Sequence, residues 1–324
     1  MKKFDVLGVG NAIVDVLGFV DDKFLSDNSI QKGMMSLIDE ATAEKLYNNM
    51  GQATEVSGGC AGNTVAGIVS LGGHAAYIGR VKKDSLGDIF THDMNGVGVS
   101  FNSQKATSGK ATARSFIFVT PDAERSMMTY LGACTEFDES YVDEDLICDS
   151  KVVYIEGYLW DEPKAKAAIR KVLELAKKHG TKVSFTLSDP FCVERHREEF
   201  LFLLSSIDIL FCNEHEAKAL FKNENIHECV ARLTEKCEVV AVTRGAHGSI
   251  VSSGDFMSEV APSWVEKPMD STGAGDLFAA GFLYGYTQGK QLAECGRIGS
   301  IAAAEIIKQL GARPMKPLKQ ALAA

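Results

Sequence analysis

Six short apolar runs, at 4–10, 75–79, 152–155, 183–187, 208–211 and 238–242, recur along the chain with helical patterns between them, as at 86–96 and 163–178. Strands separated by helices are joined by crossovers, which makes their sheet parallel, and a parallel sheet must be covered on both faces. The pattern predicts an α/β chain. Two stretches, 16–38 and 111–131, interrupt this alternation with strand-like residues and turns such as Asp21-Asp22, Asp27-Asn28 and Lys32-Gly33. Lacking such helices, they are expected to project from the sheet as a small β lid. No internal repeat and no linker rich in Pro, Gly or Ser divides the chain, so residues 1–324 read as a single domain carrying that lid. With 45% hydrophobic residues, 324 positions supply enough apolar surface for one large core.

The formal charge of −9 argues against nucleic acid or an anionic membrane as partner, because both reward clustered Lys and Arg. Met1-Lys2-Lys3-Phe4-Asp5 meets charge before an apolar leader can form, and no later run reaches membrane-spanning length, so a cytoplasmic protein is expected. The eight cysteines contain no CxxC pair and the seven histidines are dispersed. Reduced, mostly core thiols fit that pattern better than a zinc site.

Asp270-Ser271-Thr272-Gly273-Ala274-Gly275-Asp276 runs directly into Leu277-Phe278-Ala279-Ala280, a loop that opens a helix. With no bulky side chain from Ser271 to Gly275, several backbone N–H groups can converge on one anion, where the helix N-terminus adds about half a positive charge. Asp276, in the first helical turn, can take a proton from an attacking alcohol while those amides stabilise the transferring group. A helix cap or a macrodipole partner would explain either acid alone. Two acids bracketing Ser-Thr-Gly-Ala-Gly form a much narrower pattern, and it points to phosphoryl chemistry.

Gly8-Val9-Gly10 invites a dinucleotide fingerprint, but the third glycine would fall at Ile13 and the residues from Asn11 onward are strand-like. A nicotinamide oxidoreductase is therefore set aside. Asn11 and Asp15 place an amide and a carboxylate close together, suited to vicinal hydroxyls, or equally form a strand-end Asn and a solvated Asp. Gly58-Gly59-Cys60-Ala61-Gly62-Asn63 is a small-residue entry to a helix, where backbone can approach a ligand and Asn63 can touch it. Arg125, in the second lid stretch, can swing onto a transferred phosphate on closure, or be an exposed hairpin arginine. Asn213-Glu214-His215-Glu216 reads as a capping box, with Glu216 also able to orient Mg²⁺ through water. Thr243-Arg244-Gly245-Ala246-His247-Gly248 ends a strand with a glycine-bearing loop at the ligand edge of the sheet, or makes an ordinary strand–turn–strand connection.

Gly58-Gly59 with Asn63, Asn213-x-x-Glu216, Thr243-Arg244-Gly245 and the 270–276 turn have the order and spacing of the ribokinase-like (PfkB) carbohydrate and nucleoside kinases, which the chain resembles over essentially its whole length. Gly10-Asn11-Ala12-Ile13-Val14-Asp15 and Thr186-Leu187-Ser188-Asp189-Pro190-Phe191 look most like the adenosine kinase branch. The resemblance implies a three-layer sandwich with a mostly parallel central sheet and a β-sheet lid. It also implies phosphoryl transfer from MgATP to the 5′-hydroxyl of a nucleoside, foremost adenosine. By the same resemblance Asp15, Gly59 and Asn63, beside Asn11 and Gly58, would bind the acceptor, and Asp276 would be the base. Gly273, Ala274 and Gly275 would donate N–H groups to the γ-phosphate, supported by Arg125. Asn213 and Glu216 would organise Mg²⁺ and phosphates, and Thr243, Gly245 and Gly248 would line the ATP site. Tyr158, Trp160 and Phe191 are available to stack on a purine, although aromatic residues beside a sheet are more often core. Some members of the family use a monovalent cation such as K⁺ near the Asp270 turn and the C-terminal Gly311-Ala312-Arg313 stretch, and their lids stay free or pair between subunits, so a monomer or homodimer is expected. A sugar kinase of the same family, and a non-catalytic nucleoside-binding regulator, are the alternatives.

Overall fold

Alternate residues of the first strand face opposite ways: Val6 belongs to one buried apolar cluster, and Leu7 and Val9 to another. Tyr154 divides from Val153 and Ile155 in the same manner. A strand buried on both faces lies between two helical layers, and that is the architecture of the computed structural model, which describes residues 2–122 and 124–323. Its strands are β1 (Phe4–Val9), β2 (Ile13–Phe19), β3 (Met35–Leu37), β4 (Ala53–Ser57), β5 (Ala75–Ile78), β6 (Ala113–Val119), β7 (Arg125–Tyr130), β8 (Ser150–Glu156), β9 (Lys182–Thr186), β10 (Ile209–Asn213), β11 (Val239–Thr243), β12 (Ser249–Ser253) and β13 (Phe256–Val260).

Eight strands form the central sheet in the order β13-β12-β11-β10-β9-β8-β1-β5. Pairing is parallel from β5 through β11, and the hairpin β12–β13 closes one edge antiparallel. The helices Cys60–Ser70, Ala274–Thr287 and Leu292–Ile306 cover one face, and Pro163–His179, Pro190–Leu203, Glu214–Phe221 and Ile226–Thr234 the other. The register aligns Glu156 with Thr186 and Asn213 with Thr243, so neighbouring strands deliver a row of polar residues to the carboxyl edge. That edge is where open parallel sheets bind ligands.

The second sheet, β3-β7-β6-β2-β4, is the lid. Both sequence stretches contribute to it, with two corrections. Residues 16–38 are not all strand and turn: Asp21 accepts a hydrogen bond from Phe24 N at 2.7 Å and caps a short helix, Asp22–Asp27. The lid also gains β4, whose Thr54, Glu55 and Val56 pair antiparallel with β2, although the stretch leading to Gly58-Gly59 reads as loop. Val14, Val16, Phe116 and Phe118 of the lid share an apolar cluster with one face of the central sheet. Among the described residues no helix is long and apolar enough to cross a membrane.

Candidate active site

Asp270 opens the turn with its side chain fully covered, accepting from Thr272 N at 2.6 Å and from Gly311 N at 2.8 Å. These two bonds fold the turn and tie it to a distant C-terminal loop. Gly273 follows in the left-handed region (φ +76°), where a Cβ would lie 2.5 Å from the Ala312 Cβ, so only glycine fits. The helix Ala274–Thr287 starts here. Its N–H groups are not all free for an anion: Ala274 N donates to Ser271 O at 3.1 Å, whereas those of Gly273 and Gly275 have no partner among the described residues. A Cβ at Gly275 would meet nothing within 4 Å, so the backbone there borders open space.

Asp276 is half-buried at the first turn of this helix. Gly67 lets the helix Cys60–Ser70 approach closely, since a Cβ there would sit 2.6 Å from Leu277 Cδ1. The approach brings Asn63 Nδ2 to 2.9 Å from Asp276 Oδ2, and Thr64 Oγ1 donates to the Asp276 carbonyl at 3.2 Å. Burial pushes the Asp276 carboxyl up to about 6, against the pull of hydrogen bonds from Asn63 and Cys60 and of the Arg313 charge. The Asn63 Oδ1 is buried without a partner among the described residues, an acceptor aimed at nothing the protein supplies.

Asp15, on β2, lies against Gly58, where any Cβ would collide with its carboxylate. Burial raises it to about 7, opposed by Arg313 and reinforced by Asp276. Gly59 (φ +79°) packs on the Asn11 carbonyl. Asn11 itself is held by Glu156, which accepts from Asn11 N at 2.8 Å and from Ala61 N at 2.9 Å. Sequence reading passed over Glu156, although a lone carboxylate ending an apolar strand was the available signal; burial lifts it to about 7.

A cavity of about 610 Å³ runs through these groups. Asn11, Asp15, Gly59, Asn63, Gly273, Ala274, Gly275 and Asp276 line it, together with Asn213, Glu216 and Thr243. Gly58, Gly245 and Gly248 are not on its wall; the latter two lie in the β11–β12 connection. Arg125, on β7, reaches across from the lid to Asp270 and Thr272. The lid wall is mostly apolar, built from Ile13, Met35, Leu37, Ile117 and Met127, with Ser115 and Thr129 between them hydrogen-bonded to each other at 2.8 Å. Tyr158 and Phe191 also line the cavity. Trp160 does not: it is core, edge-on to Phe200 with its Nε1 donating to Glu199 at 2.9 Å.

Asn213 and Glu216 form the reciprocal capping box, with Glu216 N donating to Asn213 Oδ1 at 2.9 Å and Asn213 N to Glu216 Oε2 at 3.0 Å. Burial raises Glu216 to about 7. No group of three or more His, Cys, Asp or Glu side chains able to hold a metal occurs among the described residues.

A sequence profile of the pfkB family carbohydrate kinases matches residues 33–319. The chain belongs to this family. It is similar to a solved adenosine kinase from Sinorhizobium meliloti, with 50% identity, 99% of each chain covered and a TM-score of 0.92. It is equally similar to a solved probable sugar kinase protein from Rhizobium etli CFN 42, at 50% identity and TM-score 0.93, covering 100% of this chain and 98% of that one. An uncharacterized sugar kinase from Archaeoglobus fulgidus is 31% identical over 253 residues, 78% of this chain and 98% of that protein. As a pfkB kinase the chain has the ribokinase-like α/β fold and phosphorylates a hydroxyl group of a small nucleoside or sugar, with the ATP and Mg²⁺ that kinases of this family use.

Proposed function

We propose that the chain transfers the γ-phosphoryl group of ATP to the 5′-hydroxyl of a nucleoside, adenosine foremost, giving the nucleoside monophosphate and ADP. The observation that carries this reading is the apolar lid wall of Met35, Leu37, Ile117 and Met127, which with Tyr158 and Phe191 lines the cavity that also holds Asp15 and Asp276. A free sugar has little apolar surface to bury there, whereas a purine covers such a wall and stacks on an aromatic ring. Asp15 and the Asn11 amide would hold the ribose hydroxyls, and the orphaned Asn63 Oδ1 would accept from one of them. Asp276, held by Asn63, would take the 5′-hydroxyl proton as the O5′–P bond forms and the bond from Pγ to the ADP oxygen breaks. The N–H groups of Gly273 and Gly275 at the helix N-terminus would carry the charge on the transferring group. Arg125 would exchange Asp270 and Thr272 for the phosphate.

Mg²⁺ fits this donor set as an ion carried by the nucleotide phosphates and water, because Glu216 on the cavity wall is already engaged by Asn213 and no cluster of three acidic, His or Cys side chains able to hold a metal occurs among the described residues. Glu216 would hold one of its waters while the ion neutralises phosphate charge. Thr243 would line the nucleotide end.

Titration calorimetry of adenosine and ribose into the protein tests the acceptor. Burying a purine against this wall is expected to make adenosine bind at least about a hundredfold more tightly, from roughly 25 cal/mol per Å² of apolar area covered. Equal affinity would remove the base from the acceptor and favour the second reading, a free-sugar kinase, which the Rhizobium etli neighbour supports.

A further inference from the structure

Arg313 stands in the loop that follows the last long helix, in the Gly311-Ala312-Arg313 stretch that the family resemblance marks only as a neighbour of a monovalent-cation site. Its guanidinium is half-buried and forked onto the acceptor loop: Nε donates to Ser57 O at 2.6 Å, Nη1 to Gly62 O at 2.7 Å and Nη2 to Gly58 O at 3.4 Å. Gly62 makes room for it, since a Cβ there would lie 3.2 Å from Nη2. Ser57 ends β4 of the lid, Gly58 lies against the Asp15 carboxylate, and Gly62 precedes Asn63. The fork therefore grips both sides of the junction between lid and helix.

The same loop is bound from its other side to the phosphate turn. Gly311 N donates to Asp270 Oδ2 at 2.8 Å, Ala312 packs on Gly273, and Gln309 Nε2 fixes the Arg313 carbonyl at 2.6 Å. Three adjacent residues thus join the turn that would hold phosphate to the loop that would hold the acceptor. Asp15, Tyr77, Asp93 and Asp276 act on the guanidinium through their charge, and Asp93 itself accepts from Ser57 N at 2.9 Å. Cys60 and Glu156 lie beyond, around Asp276 and Asn11.

We propose that Arg313 is a positioning residue for the acceptor: its fork sets the Ser57–Gly62 loop, which carries Gly58 against Asp15 and leads into Asn63, against the phosphate turn. The inference rests on the acceptor site proposed above. Two half-buried carboxylates in one cavity repel, and a fixed cation beside both relieves that repulsion. Burial brings Arg313 itself down to about 10, which leaves it charged at neutral pH.

The test compares Arg313→Met, which keeps length and loses charge, with Arg313→Lys, which keeps charge and loses the fork. For Arg313→Met, the acceptor KM is expected to rise about tenfold or more while the ATP KM stays within about twofold. The acid limb of kcat/KM is expected to move up by about one pH unit, the smaller end of what an adjacent opposite charge does to a carboxylate. Arg313→Lys is expected to restore the limb while leaving the acceptor KM raised. An unmoved limb together with equal rises in both KM values overturns the inference while wild-type turnover keeps the functional reading. Should Arg313→Met fail to fold, the lysine variant decides: a raised acceptor KM at an unchanged limb supports the inference, and wild-type values for both overturn it. Absence of wild-type turnover with every nucleoside and sugar overturns the functional reading itself.

Discussion

Asp276→Asn is expected to yield a folded protein that binds ATP normally and turns over about 10²–10⁴ times more slowly, the range that a positioned general base contributes. The amide keeps the shape that Asn63 and the helix terminus surround, so the loss falls on kcat. The pH dependence follows from the same group. Its carboxyl is raised from 3.8 to about 6 and that of Asp15 from 3.8 to about 7, so kcat/KM is expected to fall as pH drops through 7 toward 6 and both take up protons. For stability the sign is opposite to that of an ordinary paired carboxylate. Both folded values lie above the unfolded ones, so the native state binds more protons between about pH 4 and 7, and stability decreases as pH rises through that window. Ionising Asp276 therefore costs the fold something, and Asp276→Asn is expected to melt no lower than the wild type at pH 7.5. A kcat within threefold of wild type would remove Asp276 from the chemistry.

Asp15→Ala is expected to weaken acceptor binding by roughly tenfold to a hundredfold, from the 1.5–3 kcal/mol that a hydrogen bond to a charged group contributes, with the ATP KM nearly unchanged. The asymmetry comes from place. Asp15 sits on β2 against Gly58, at the junction of lid and acceptor loop, whereas Asn213, Glu216 and Thr243 enter the same cavity from β10, β11 and the adjoining helix. Equal losses in both affinities would show that Asp15 supports the closed lid as a whole rather than the acceptor.

The parts of this site that were legible in the sequence are those whose signal is local. The 270–276 turn declares itself because an anion site at a helix start needs consecutive small residues. Asn213 and Glu216 lie three apart because a capping box demands it. The alternation of strand and helix likewise follows from crossover geometry, and it set the sheet and its ligand edge in advance. What escaped depends on long-range contact. Arg313 meets Ser57 across 256 positions of chain, and although the Gly311-Ala312-Arg313 stretch is marked by the family resemblance, nothing local announces its contact with the acceptor loop. Met35 and Leu37 look like unremarkable strand residues until the lid turns them to the cavity. Tyr158 and Trp160 stand two apart in one short 3₁₀ helix, yet only the first faces the cavity while the second packs into the core on Phe200. The helix Asp22–Asp27 was hidden by aspartates that serve a turn as readily as a cap, and β4 by the glycines that follow it.

The reaction itself is tested most directly by ADP release from MgATP in the presence of adenosine, guanosine, inosine, cytidine, ribose or fructose, with Asp276→Asn as the blank. Saturable turnover on adenosine that disappears in the variant is the expected result. Turnover confined to a free sugar would contradict the nucleoside acceptor while keeping the family chemistry, and equal turnover in the variant would contradict the catalytic role of Asp276.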